Sequence, residues 1–149
     1  MADFTYRGTL GGGEPEQRNF DVAAGGAATI AIGDIVLIAN GYAATLADGE
    51  GTAGNGLYGL AIEASDETAG ADGTCNCVFS TSGLIVEGTA TTAGNLVTAV
   101  IFDKVTIDVA AGVQTVDEND AGALLIYEID ADSATTGLCR IVLPFNLAS

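Results

Sequence analysis

Three cysteines, twenty carboxylates and one lysine are the groups in this chain that could do chemistry, and histidine is absent. Cys75 and Cys77 stand two apart in a strand-like run, on one face, with Cys139 far along the chain. Structural zinc takes four Cys or His ligands, so this set does not complete a site, and the odd count reads as buried thiols in a reducing compartment. Asp117-Glu118-Asn119-Asp120 and Asp130-Ala131-Asp132 are oxygen-rich and near turns, which suits calcium. Neither matches an EF-hand loop, and Asp48-Gly49-Glu50-Gly51 is only a fragment of a Gly/Asp-rich calcium repeat; these acids read as solvated loop residues. Among twenty acids some pairs fall at glycosidase-like distances by accident, but the chain has no Trp, 4 Tyr and 5 Phe with which to pave a sugar cleft. Gly51 to Gly56 lacks the Lys-Ser/Thr ending of a phosphate loop, and a serine nucleophile would depend on Lys104 alone. The reading is a non-enzymatic protein with no catalytic residue, cofactor or metal.

The charge balance sharpens that reading. Asp and Glu number 20 against 4 Lys and Arg, a formal charge of −16 over 149 residues. Such a field repels phosphate backbones and anionic lipid, so neither nucleic acid nor a membrane is an expected partner. Disorder is opposed by the 48% hydrophobic content and by runs such as Ile35–Ile38, Leu84–Val86 and Leu124–Tyr127. No apolar run approaches the ~20 residues of a spanning helix. The Met1–Arg7 segment lacks a secretory pattern, so synthesis in a cytoplasm is the expectation.

The elements that must carry these residues read as β almost throughout. Short apolar stretches rich in Val, Ile, Thr, Tyr and Phe are separated by Gly, Asn and Asp clusters. Alternation marks Thr29-Ile30-Ala31-Ile32 and Lys104 to Val109, and Ile35–Ala39 suits a strand buried on both faces. Asn40-Gly41, between two such runs, calls for a tight hairpin. Turns are also signalled at Ala47-Asp48-Gly49 and Gly54-Asn55-Gly56, and the Ala-rich stretch 61–71 offers at most one short helix or turn. Three echoes suggest duplication: Gly33–Leu37 with Gly94–Thr98, Gly56–Glu63 with Gly122–Ile129, and Gly73–Phe79 with Gly137–Leu143. Two related β-meander units, over 33–88 and 94–145, would then pack as a β-sandwich or a distorted, β-tulip-like β-barrel.

The first twenty residues differ in kind. Gly11-Gly12-Gly13-Glu14-Pro15 is polar and flexible, and two of the four cations, Arg7 and Arg18, flank it. Residues 1–20 read as an extended N-terminal arm that binds a partner by strand addition through Phe4, Tyr6, Arg7, Arg18 and Phe20, ahead of a β domain over 21–149. A frayed terminus or an ordinary edge strand is the alternative.

Residues 56–88 carry a resemblance. Gly59-Leu60-Ala61-Ile62-Glu63-Ala64-Ser65-Asp66, then Thr74 to Phe79, then Ser82-Gly83-Leu84-Ile85-Val86-Glu87-Gly88 resemble the lambda-type head decoration, or capsid cement, proteins of tailed bacteriophages. Gly33-Asp34-Ile35-Val36 is similar to the opening of related phage cement domains. The resemblance covers about a third of the chain, in turns and small residues rather than reactive groups. The chain departs from the family in length, acidic excess and the segment from Thr89 onward. The resemblance implies a small, β-rich, non-enzymatic virion protein made in the host bacterial cytoplasm. It would be a trimer on the capsid exterior, clamping the major capsid protein and stabilising the mature head. A phage tail or fibre domain, and a secreted acidic β domain binding calcium or glycans, are the alternatives.

Overall fold

Asn40 and Gly41 both take positive φ, 55° and 83°, and fold Ile35–Ala39 back on Tyr42–Thr45 in the hairpin their types call for. The structure is a computed structural model and describes residues 4–25, 29–46, 56–143 and 145–146. In chain order its strands are β1 (Thr5–Thr9), β2 (Glu16–Val22), β3 (Ile35–Ala39), β4 (Tyr42–Thr45), β5 (Gly56–Ala61) and β6 (Gly73–Phe79). They continue with β7 (Leu84–Thr89), β8 (Lys104–Ala110), β9 (Val113–Asp117), β10 (Leu124–Ile129), β11 (Leu138–Leu143) and β12 (Phe145–Asn146). Two 3-10 turns, Ala93–Asn95 and Thr98–Val100, precede β8, and one short helix, α1 (Ser133–Thr136), precedes β11.

The all-β expectation holds, with a barrel and a sheet built to one plan. Strands in the order β4-β3-β5-β6-β2 form a mixed barrel, closed where β2 meets β4 in parallel at Asp21 and Tyr42. The antiparallel sheet repeats this as β9-β8-β10-β11-β7. Its ends also approach in parallel, at the Ala90–Val116 bridge, where Thr91 N–H donates to the Val116 carbonyl at 2.8 Å. Each unit therefore runs strand, hairpin, strand, strand, and the units span residues 16–79 and 84–143 rather than 33–88 and 94–145. The second hairpin turns on Ala111-Gly112, whose φ values of 53° and 78° match those of the first. The echoes of β5 in β10 and β6 in β11 are strand on strand. The echo of Gly33–Leu37 in Gly94–Thr98 is corrected: residues 94–98 run from one 3-10 turn to the next and form no strand, and the counterpart of β3 is β8.

The termini cross between the units. β1 pairs with β7 of the second unit, and β12 pairs with β5 of the first. Residues 4–22 are extended as expected but do not leave the body: β1 lies along β7, and β2 pairs with β6 over seven positions, Glu16 opposite Phe79 through Val22 opposite Gly73. Pairing wins because Phe4, Phe20 and Val22 are buried, and their burial would be forfeited by an arm that swung free. The stretch 61–71 forms bends and no helix. One other expectation is corrected. Thr29–Ile32 forms no strand, because side chains rather than a ladder satisfy its backbone: Ser65 Oγ accepts from Ile30 N–H and Glu67 from Thr29 N–H. The turns expected within 47–55 lie outside the described residues.

Two apolar clusters result. Phe20, Val22, Ile30, Val36, Ile38, Leu57, Cys75, Cys77 and Phe79 fill the barrel. The other runs from Ile35, Tyr58 and Leu60 through Leu84, Val86, Ile107, Leu124, Ile126 and Ile141, so it joins the units. A polar clamp reinforces that joint. Gln114, buried on β9, accepts from Ile35 N–H at 2.7 Å and donates to the Ile35 carbonyl at 2.9 Å, imitating a strand partner for β3.

Candidate functional site

The five N-terminal residues expected to bind a partner part company. Phe4 and Phe20 are core. Phe20 packs edge-on against Phe79, centroids 5.7 Å apart, inside the barrel. Phe4 sits over Gly88, where an added Cβ would come within 2.2 Å of its ring. The two units explain that slot. Phe20 stands opposite Cys75, and at the matching place opposite Cys139 the chain has Gly88. The ring supplied from within the strand in the first unit is supplied by β1 in the second.

Tyr6, Arg7 and Arg18 remain on the surface. The Arg18 guanidinium lies 5.9 Å and 5.6 Å from the Phe20 and Phe79 ring centres and 3.9 Å from Glu16. Arg7 begins an ion-pair chain across one face of the antiparallel sheet. It bonds Glu87 at 2.7 Å, and the other Glu87 oxygen takes Arg140 at 2.7 Å. Arg140 also reaches Glu128 at 2.6 Å and Asp130 at 2.7 Å. Hydrogen bonds from Arg7 and Arg140 hold the Glu87 carboxyl below its usual range, and Arg140 does the same for Asp130. Arg140 itself is pushed up, chiefly by Asp130.

The loop acids read as solvated are in part structural. Glu118 is buried, and one oxygen accepts from Thr92 N–H at 3.1 Å and Asn95 Nδ2 at 3.0 Å. Asp117 accepts from Asn119 N–H, Asp120 accepts from the Thr106 hydroxyl, and Asp130 belongs to the ion-pair chain. Glu67 is buried against Thr29; burial raises its pKa, but hydrogen bonds from Ser65 and Thr29 outweigh that and hold it low. A general acid working near neutrality needs the opposite shift. The fragment Asp48–Gly51 lies outside the described residues.

All three thiols are buried and free. Cys77 donates to the Cys75 sulfur at 3.8 Å, and that bond together with burial pushes the Cys77 pKa up. Burial pushes Cys139 up to about 12. Neither suits a nucleophile, which works as thiolate. Among the described residues no three of His, Cys, Asp and Glu are grouped to hold a metal ion, and no helix is long and apolar enough to cross a membrane.

The segment read from sequence as an arm or an edge strand holds the open edge of β1, which pairs only on its β7 side among the described residues; not evident from sequence was a groove where the 3-10 turns face α1. No protein-family model, no curated protein and no solved structure matches this chain.

Proposed function

We propose that this chain is a capsid decoration protein that binds the outer surface of a mature phage head and braces it, without catalysis. The observation that carries the reading is the local structure of the stretch resembling such proteins. Gly59–Ala61 closes a strand that ends in an acidic turn, Gly73–Phe79 forms the next strand, and a Ser-Gly turn at Ser82-Gly83 leads into Leu84–Thr89. The acidic exterior supports it by keeping copies soluble and apart before they dock.

Attachment then falls on the open edge of β1. It offers unpaired backbone groups to the major capsid protein, with Tyr6 and Arg7 exposed beside them. The chemistry required is linkage: a ligand that binds only the expanded lattice stabilises it by RT ln(1 + [L]/Kd) at each site. Three copies around one axis would multiply that effect.

The test is a reconstruction of intact particles together with heads stripped of this protein. Density for the chain on the head exterior, and a saturable rise in bursting temperature when it is added back, is the expected result. Particles without the chain, or heads whose bursting temperature ignores it, sink the reading. Density on the tail replaces it with a tail or fibre domain.

A further inference from the structure

The duplicated plan supplies an internal control for a groove that one unit fills and the other leaves open. In the first unit, the segment leading into the hairpin is zipped to the loop between β5 and β6. Ile30 N–H donates to Ser65 Oγ and Ser65 N–H donates to the Ile30 carbonyl, both at 3.0 Å, while Glu67 takes Thr29. In the second unit, the serine of the corresponding loop, Ser133, is also buried, but its Oγ accepts from Asp130 N–H within its own loop at 2.8 Å. The leading segment buries Leu96 in the core and bonds β10 through the Phe102 N–H and the Asp103 carbonyl, while Ser133 turns to its own loop instead of to that segment. A groove of about 340 Å³ remains between Leu96, Val97 and Ile101 on one side and Ile129, Asp130 and Ala134 on the other.

Its walls mix aliphatic side chains with Thr98 and Asp130. Val97 is 50% exposed, and Phe102, just beyond Ile101, is 64% exposed. Phe102 is held at a φ of 71°, which a bulky residue adopts only under constraint; its N–H donates to the Ile126 carbonyl at 2.7 Å. No cation is among the lining residues; Asp130 in the wall is paired with Arg140, and Asp132, next in sequence to the lining Ala131, is exposed with a side chain that caps no backbone N–H. Exposed aliphatic and aromatic side chains beside carboxylates, in a molecule of charge −16, suit a partner whose apolar side chains are flanked by cations.

From this we infer that the groove between the 3-10 turns and α1 is a docking site for a basic-flanked aliphatic segment of a partner protein. The aliphatic side chain packs against Val97, Ile101 and Ala134. The inference stands apart from the head-binding reading and does not require it.

Two fluorescein-labelled peptides test it. They share a Leu-Val-Leu centre and differ in flanks, arginine in one and glutamate in the other. The full chain is expected to bind the arginine peptide at least about tenfold more tightly, with affinity falling as salt rises. Ala134→Trp, which fills the groove from an exposed position, is expected to abolish binding, and Asp132→Lys to weaken it, while Ala134→Ser retains it. Equal affinity for the two peptides, no saturable binding, or binding indifferent to Ala134→Trp overturns the proposal. Self-association that Ala134→Trp removes also overturns it, by making a second copy the occupant.

Discussion

Arg140 and Gln114 show how single side chains hold distant strands. Arg140 is largely buried and answers three carboxylates. Arg140→Met is expected to cost on the order of 2 kcal/mol, because Glu87 keeps only Arg7 as a partner. The pH dependence follows from the direction of the Glu87 shift. Its folded pKa lies below its unfolded value, so its stabilisation is complete above about pH 4.3 and is lost as pH falls through the lower folded value. Acid unfolding followed by circular dichroism should therefore set in at higher pH in Arg140→Met than in the parent chain. Gln114→Leu is expected to cost about 2 kcal/mol in urea unfolding, since it strands the buried N–H and C=O of Ile35. A variant as stable as the parent would show that the amide does not clamp the units.

At the scale of elements, β1 is held by one ring in one slot. Gly88→Ala is expected to destabilise by about 2 kcal/mol through overpacking against Phe4 and to speed proteolysis in the exposed Gly11–Gly13 stretch. In a Phe4→Ala background the same change should cost far less, and additivity in the cycle would refute the slot. This contact also shows what the sequence could reveal. The hairpin at Asn40-Gly41 was legible because a two-residue turn is a local demand of backbone geometry, and the paired burial of Cys75 and Cys77 was legible because a strand alternates with period two. The alternation in Thr29–Ile32 misled because Ser65 and Glu67 supply by side chain what a ladder would supply by backbone. Phe4 read as an anchor for a partner because its receptor, Gly88, has no side chain to announce it. Of the surface features, exposed Tyr6, Arg7 and Arg18 fell within reach of pattern reading. The groove did not, since Leu96 to Ile101 and Ile129 to Ala134 are far apart in sequence and are brought together only by the fold.

The whole molecule is two copies of one plan laced together by its own ends and carrying a large uniform charge. Self-repulsion of a −16 chain weakens as salt screens it, so raising NaCl from about 0.02 to 0.5 M is expected to raise the melting temperature by a few degrees. A fall instead would mean that the ion pairs around Arg140 outweigh the net field. The shared core and the crossed termini predict one cooperative unfolding transition rather than two. The crossing has a further consequence for biosynthesis. As the chain leaves the ribosome, strands β2 to β6 can close their barrel while the rest is still being made. β1 must wait, unmatched, until its acceptor at residues 84–87 emerges, and β12 is added to a barrel already shut. Order of manufacture and order of placement are thus opposed at the leading end, which makes a stalled nascent chain the natural material in which to catch β1 still exposed.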